Sequence, residues 1–400
     1  MSDDDHNQSS TDRFGMFGGR FVPEVLWTPL EEVAQAQREA LDDEGFVERQ
    51  RRWWDTRVGR PTPLSHLERL SRRVGGAQIW AKREDLAQGG NFCITSAITQ
   101  ALLARRMDKT RLIGETANGD FGIALGSVGA ALDMDVVVYM SRGSIDDEPL
   151  NAAWMRRLGV DLRAVDGGAP GRSHSMAEAL RNFSGQSGEA FYATSSLASP
   201  APYPQLVGRA LSVIGRECRN QLQEFTIQAE YAIAPVGSGS FAAGLFSGFV
   251  DATGAQIVGV QSGGDSDSSR DSASLVRGRP GVYLGTHSLL LHNQSGQIEA
   301  PHAAAAGMAM PIAGPQHARW LQEGRIHYVT IDDNEARRAQ QRLLSDEGIL
   351  ACRETGYALA YALKLAPTLR QDEHIVLGIT GSGIRGLEAE EFESNDEGRS

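Results

Sequence analysis

The sequence predicts an α/β protein built from two doubly wound, three-layer lobes. From about residue 78 onward, short β-branched or apolar runs alternate with stretches of helical period, the pattern of a parallel sheet covered by helices. Glycine-rich loops follow several of these runs, and 400 residues exceed what one compact core accommodates.

The strand runs are AQIWAKRE (77–84), RLIGET (111–116), DVVVYM (135–140), AEYAIAPVG (229–237), QIVGVQ (256–261) and EHIVLGIT (373–380). Each is short, apolar and bounded by turn-forming residues. The helical stretches between them are TSAITQALLARRM (95–107), FGIALGSVGAALDM (121–134), PLNAAWMRRLG (149–159), SHSMAEALRNF (173–183) and SFAAGLFSGFVDATG (240–254). No short-period repeat is present. Only SGGDSDSSRDSAS (262–274) is low in complexity, and it predicts a surface loop.

Net charge is −12, with acidic residues concentrated at the two ends, which read as solvated tails. No basic patch offers the counterion release that nucleic acid or an anionic membrane rewards. No apolar run approaches the ~20 residues needed to span a bilayer, and the N-terminus lacks signal-peptide order, so a cytosolic location is expected. Cys93, Cys218 and Cys352 are too few and too irregularly spaced for a disulfide framework or a metal site. Lysine occurs only at 82, 109 and 364, which narrows any lysine-based mechanism sharply.

In open α/β sheets, ligands bind beyond the carboxyl ends of the strands, so four loops draw attention: DLAQGGNFC (85–93), ETANGDFG (115–122), PVGSGSFAAG (235–244) and ITGSGIRG (379–386). In the third, Gly237, Gly239 and the N–H groups up to Ser240 and Phe241 form either an anion cradle or a plain tight turn; the P-loop lysine is missing and Phe241 crowds the cup. Glu115 ends an apolar strand, where partial burial suits a general acid or base; a capping acid is the plainer reading. Cys93 at a helix start is either a thiolate nucleophile or a small buried apolar residue, the commoner fate of free cysteine. Thr380 supplies a hydroxyl at a strand end, and Cys352 and Glu354 lie close together in DEGILACRETG.

Taken in order along the chain, these loops resemble the β subunit of tryptophan synthase, a fold-type II pyridoxal-phosphate (PLP) enzyme. Collinear segments carry the resemblance: FGMFGGRFVPEVL (14–26), GRPTPL (59–64), KREDL (82–86), QALLARRM (100–107), PYPQLVGRALSVIG (202–215), GQIEAPH (296–302), YALAYALKLAPTL (357–369) and GITGSG (378–383). The resemblance implies an N-terminal lobe of residues 1–58 and 92–208, with a mobile communication-type segment at about 108–195. It also implies a C-terminal lobe of 59–91 and 209–390, followed by an acidic tail, 391–400.

The family joins indole to serine on PLP held as a Schiff base to lysine, and its loop reads approximately H-T-G-A-H-K-I-N-N-A-L-G-Q. Against it this chain reads QGGNFCITSAITQ, so the lysine falls on Cys93 and the phosphate-contacting histidine on Phe92. The carboxylate-binding loop E-T-G-A-G-Q-H becomes Glu115, Thr116, Ala117, Asn118, Gly119, Asp120 and Phe121, whose Asp120 and Phe121 disfavour a substrate carboxylate. The phosphate cup V-G-G-G-S-N becomes Val236, Gly237, Ser238, Gly239, Ser240 and Phe241. In A-G-L-D-Y-P, the glycine stays as Gly307 on the cofactor side and the aspartate falls on Ala309. The communication-segment lysine falls on Ser173. Glu115 matches the acid/base for indole, Glu354 a cofactor-side glutamate, and Thr380 the serine that bonds the pyridine nitrogen.

PLP chemistry needs an amine to hold the aldehyde and shuttle a proton, and a thiol supplies neither function. Lys82 and Lys364 match structural positions of the family, and Lys109 is expected on a surface turn. The resemblance therefore implies that PLP is not covalently bound and is either absent or held non-covalently, with another phosphorylated ligand as the remaining option. Two readings stand. In one, the chain is a pseudoenzyme, a structural or regulatory subunit in a homo- or hetero-oligomer with a tryptophan synthase β-like chain, with an α-like chain as a further partner. In the other, it is an enzyme of altered, lysine-independent chemistry on an indole-like or other small aromatic ligand, with Glu115 as acid/base. Asp146 and Asp147 alter the segment matched to the α-contact surface.

Overall fold

The computed structural model describes residues 12–166, 172–251, 254–265 and 270–386. The side chain of Ser173 and the acidic tail 391–400 lie outside the described residues.

Two parallel sheets organise the chain. The smaller has four strands, ordered Asp161–Val165, Asp135–Ser141, Arg111–Glu115, Ala190–Ala193, all parallel. The larger has six, ordered His327–Ile331, Gln256–Ser262, Tyr231–Pro235, His374–Ile379, Gln78–Arg83, Leu64–His66, parallel except for the last, which pairs antiparallel with its neighbour. The central strands read as continuous apolar runs because helices cover both sheet faces, leaving no solvent side to demand alternation. The six predicted strand runs are present. Strands Leu64–His66, Asp161–Val165, Ala190–Ala193 and His327–Ile331 are not among the expected runs, nor is a small antiparallel sheet of Arg13–Phe14, Phe17–Gly18, Thr286–Leu290 and Arg279–Tyr283. Asp161–Val165 and His327–Ile331 are edge strands whose burial is broken by exposed residues, so their composition carries little signal.

Helix Cys93–Arg106 is buried from Cys93 to Ala104. A helix covered on every side has no polar stripe, and the hydroxyls and amides in TSAITQ are accommodated by hydrogen bonds instead. Gln100 donates to Thr194 O at 2.9 Å and accepts from Thr194 N at 3.0 Å, tying the helix to the segment after strand Ala190–Ala193. Trp54 Nε1 donates to Thr95 O at 3.0 Å from the other side.

The stretch 240–254, expected as one helix, is helical only over Ser240–Phe246 and continues as turns. There Gly248 meets the backbone of Gly215 so closely that a Cβ on either would lie about 2.5 Å or less from the other segment. This backbone contact with helix Tyr203–Glu224 takes the place of further helical packing.

Between the six-stranded sheet and that long helix lies a buried polar network. Lys82 Nζ bonds Thr62 O (2.6 Å), Glu217 (2.9 Å) and Gln221 (3.1 Å), while Arg60 bonds Glu84 (2.6 Å) and Glu217 (2.7 Å). Every charge there has an opposite partner, which buried ions require.

Candidate functional site

The carboxyl ends of strands Arg111–Glu115, Tyr231–Pro235 and His374–Ile379 feed three of the predicted loops, and the start of helix Cys93–Arg106 supplies the fourth. Isolated bridges from Asn91 to Gly381 and from Ala351 to Ser382 draw the 85–93 and 379–386 loops and the start of helix Arg353–Leu365 together. A cavity of about 80 Å³ opens where they meet. Of the residues singled out from the sequence, its walls include Cys93, Asn118, Asp120, Phe121, Gly237, Ser238, Gly239, Ser240, Phe241, Gly307, Glu354 and Thr380. Residues 237–241 and 380 follow strands of the six-stranded sheet, 118–121 follow a strand of the four-stranded parallel sheet, and 307 lies between strand Thr286–Leu290 and helix Pro315–Gln322, so no short motif contains the site.

Glu115, Thr116, Ala117, Gly119 and Ala309 do not line it. Glu115 was expected to be partly buried; it is wholly buried, its carboxylate accepting from the Tyr192 hydroxyl at 2.8 Å and the Thr194 hydroxyl at 2.7 Å. Burial and the Glu115 charge together push the Tyr192 hydroxyl far above its ordinary range, so it stays a donor to that carboxylate. Thr116 Oγ1 accepts from Gly119 N at 3.0 Å, shaping the turn that presents Asn118 and Asp120.

Cys93 is buried, its amide donating to Asn91 Oδ1 at 3.0 Å. Beside it the Phe92 and Phe241 rings meet edge-to-face at 5.3 Å. Phe241 reaches this position by lying over Gly378, where a Cβ would come within 2.3 Å of the ring. The glycine-rich loop is held from behind by His317, which is fully buried and bonds Gly239 O at 2.8 Å through Nε2 and the Tyr328 hydroxyl at 2.8 Å through Nδ1. Burial lowers His317 to about 4, so it is neutral and donates through Nε2.

The charged groups on the cavity wall are carboxylates. Asp120 accepts from Asn91 Nδ2 (2.7 Å) and Asn118 Nδ2 (3.0 Å) and pairs with Arg385. Arg385 also donates to Gly89 O at 2.5 Å and lies over the Trp154 ring at 5.3 Å. Glu354 accepts from Gly307 N at 3.2 Å. Behind Asp120, Asn151 donates to Asn118 O (2.6 Å) and Glu148 (3.3 Å). Burial, opposed by Arg385 and reinforced by Glu354, raises Asp120 to about 6; burial plus the charges of Asp120 and Glu354 raises Glu148 to about 7.

The Thr380 hydroxyl is engaged with Cys352 Sγ at 2.9 Å and Thr355 Oγ1 at 3.4 Å, and burial keeps the Cys352 thiol protonated. Asn91, Phe92, Ser195 and Met308 also line the cavity, with Arg385 and Glu148 close behind. The arginine stands in the quoted ITGSGIRG loop and the glutamate in SRGSIDDEPL, but nothing in either segment alone signals the partner, since Asp120 lies 265 positions before Arg385.

The pyridoxal-phosphate dependent enzyme family matches residues 56–381. The chain is 40% identical over 376 residues to the tryptophan synthase beta chain of Methylibium petroleiphilum, covering 94% of this chain and 91% of that one. The chain belongs to the tryptophan synthase β family. The beta chain of Xylella fastidiosa is 40% identical over 376 residues, covering 94% and 93%, and that of a Polaromonas species 39% over 387 residues, covering 96% and 87%. Among solved structures, a lysine-to-alanine mutant of O-ureido-L-serine synthase with O-ureido-L-serine bound superposes with a TM-score of 0.64 at 20% identity. It spans 86% of this chain and 94% of its own, which establishes likeness of fold.

The cavity residues do not fit the family's lysine-anchored cofactor. Among the described residues no amine lines the cavity. Lys82 is committed to its buried network, and Lys364 pairs with Glu335. Lys109, expected on a surface turn, is instead buried, its ammonium held by Ser187 O (2.7 Å) and Gly188 O (3.1 Å). The cavity is also far below the ~300 Å³ at which ligand pockets begin, and its carboxylates oppose a phosphate.

Proposed function

We propose that this chain is a pseudoenzyme of the tryptophan synthase β family, in which Cys93 stands at the Schiff-base lysine position and the protein serves as a structural or regulatory subunit beside an active β-like chain. The observation that carries this reading is the cleft itself: the loops that build a cofactor site converge, yet they present a thiol, an aromatic pair and carboxylates instead of an amine and an open phosphate cup. Packing motifs such as PYPQLV and YALAYALKLAP persist around it, as expected where the fold is retained and the chemistry is not. The reading of Glu115 as acid/base on an aromatic ligand is weaker in this conformation, because the carboxylate is behind the wall with both oxygens engaged.

An assembly is supported by a groove of about 800 Å³ lined by helices Trp27–Asp42, Glu44–Trp53, Cys93–Arg106 and Tyr203–Glu224, with the buried apolar Ala40, Leu103, Leu206 and Val213 at its floor and the exposed Arg51 and Arg216 beside it. Two measurements test the proposal. The absorbance of purified protein, before and after borohydride reduction, is expected to lack any lysine-linked PLP; a reduced adduct on any of the three lysines overturns the proposal. Affinity purification from the native source is expected to recover a β-like chain, whereas a protein that elutes alone and turns over indole analogues refutes it.

A further inference from the structure

Which ligand the remaining cleft accepts follows from the charges and hydroxyls on its walls, on the reading that no PLP occupies it. The charged side chains on the wall, Asp120 and Glu354, are both acidic, and Glu148 adds a third carboxyl close behind. The nearby guanidinium of Arg385 is divided among Asp120, Gly89 O and the Trp154 face.

A cluster of acids alone is no site, but a second feature shares the same space. Ser195, Ser238 and Ser240 line the cavity with 2, 7 and 6% of their surface exposed, and among the described residues none of their hydroxyls has a hydrogen-bond partner. Their residues are enclosed but the hydroxyls open on the cavity, so an occupant of the cavity is the partner they can bond.

A primary ammonium group has three donors and no acceptor, and so matches walls that offer carboxylate and hydroxyl oxygens. The aromatic members Phe92, Phe121 and Phe241 offer apolar surface to the carbon next to that charge. An anion meets the opposite situation, two fixed carboxylates and, among the described residues, no uncommitted cation on the wall. We propose that the cleft is a binding site for the head group of a small primary amine, and that it excludes the phosphate and carboxylate groups for which the family's cleft is built.

The test uses the full-length purified chain at pH 8, first shown by absorbance to be free of PLP, and titrates it by ligand-observed NMR with n-propylammonium, propionate and inorganic phosphate. The expected result is saturable binding of n-propylammonium, at least about tenfold tighter than either anion, the discrimination that one charge-assisted hydrogen bond supplies. Glu354→Gln, which keeps the side-chain shape, is expected to weaken n-propylammonium about tenfold, and Ser238→Ala to weaken it by a smaller factor, both with melting temperatures near the parent's.

Propionate or phosphate binding as tightly as the amine overturns the proposal, as does an absence of amine binding or amine binding that neither substitution changes. PLP found in the purified protein overturns the pseudoenzyme reading together with this one. PLP-free protein that fails to prefer the amine overturns this one alone.

Discussion

Asp120→Asn isolates a contest between two forces that act on one carboxyl. Asp120 is held by Arg385, Asn91 and Asn118, with only 10% of its side chain exposed. Burial raises its pKa from 3.8 to about 6 in spite of the guanidinium, so desolvation and the neighbouring Glu354 outweigh the ion pair. Between pH 4 and 6 the folded chain therefore keeps a proton that the unfolded chain has lost. The contribution of Asp120 to stability falls as pH rises through that window and then levels off.

The interval from 3.8 to about 6 corresponds to about 3 kcal/mol at 1.36 kcal/mol per pH unit. Asparagine resembles the protonated acid in shape and neutrality, so Asp120→Asn is expected to be more stable than the parent at pH 7.5 by up to about 3 kcal/mol. The two proteins should converge near pH 4. For a chain of 400 residues, an unfolding entropy of ~2.1 cal/mol/K per residue makes this an upward shift of about 4 °C. Thermal melts of both proteins followed by circular dichroism from pH 4 to 7.5 measure the difference, in which groups unaffected by the substitution cancel. A variant less stable than its parent at pH 7.5, with the gap widening from pH 4 to 6, refutes the reasoning and makes the Arg385 ion pair the stronger of the two forces.

Three other outcomes are expected. Glu148→Gln should shift the pH profile in the same sense as Asp120→Asn but by less, because Glu148 is partly exposed and solvent screens it; melts over pH 4.5 to 8 check this. Lys82→Met should cost about 3–5 kcal/mol in chemical denaturation, since it strips a buried partner from Glu217 while Arg60 remains to compensate only in part. Thiol titration of native protein at pH 8 should leave Cys218 and Cys352 unreacted until denaturant is added, because burial pushes Cys218 up to about 12 and Cys352 higher still.

Much of the frame was legible along the chain. The predicted strand runs appear in both parallel sheets, and the four loops singled out for following strands or opening a helix converge on one cavity. Backbone pattern is a local property, so periodicity and glycine placement report it faithfully. Burial and partners are not local. Glu115 ends its strand as expected, yet whether its carboxylate reaches the cleft depended on Tyr192 and Thr194, more than seventy positions away. Lys109 follows a helix end that reads as a surface turn, but the carbonyls of Ser187 and Gly188 enclose it.

The sequence by itself determined the fold class, the family and the absence of any amine at the head of helix Cys93–Arg106, because residue identity at a position does not depend on folding. Only the tertiary structure decided what surrounds Cys93 and lines the cleft beside it. Gly378 lets the Phe241 ring settle against Phe92, and Arg385 crosses from the far end of the chain to Asp120. The physical reason is that charge, desolvation and packing act over a few ångströms of space, whatever the separation along the chain.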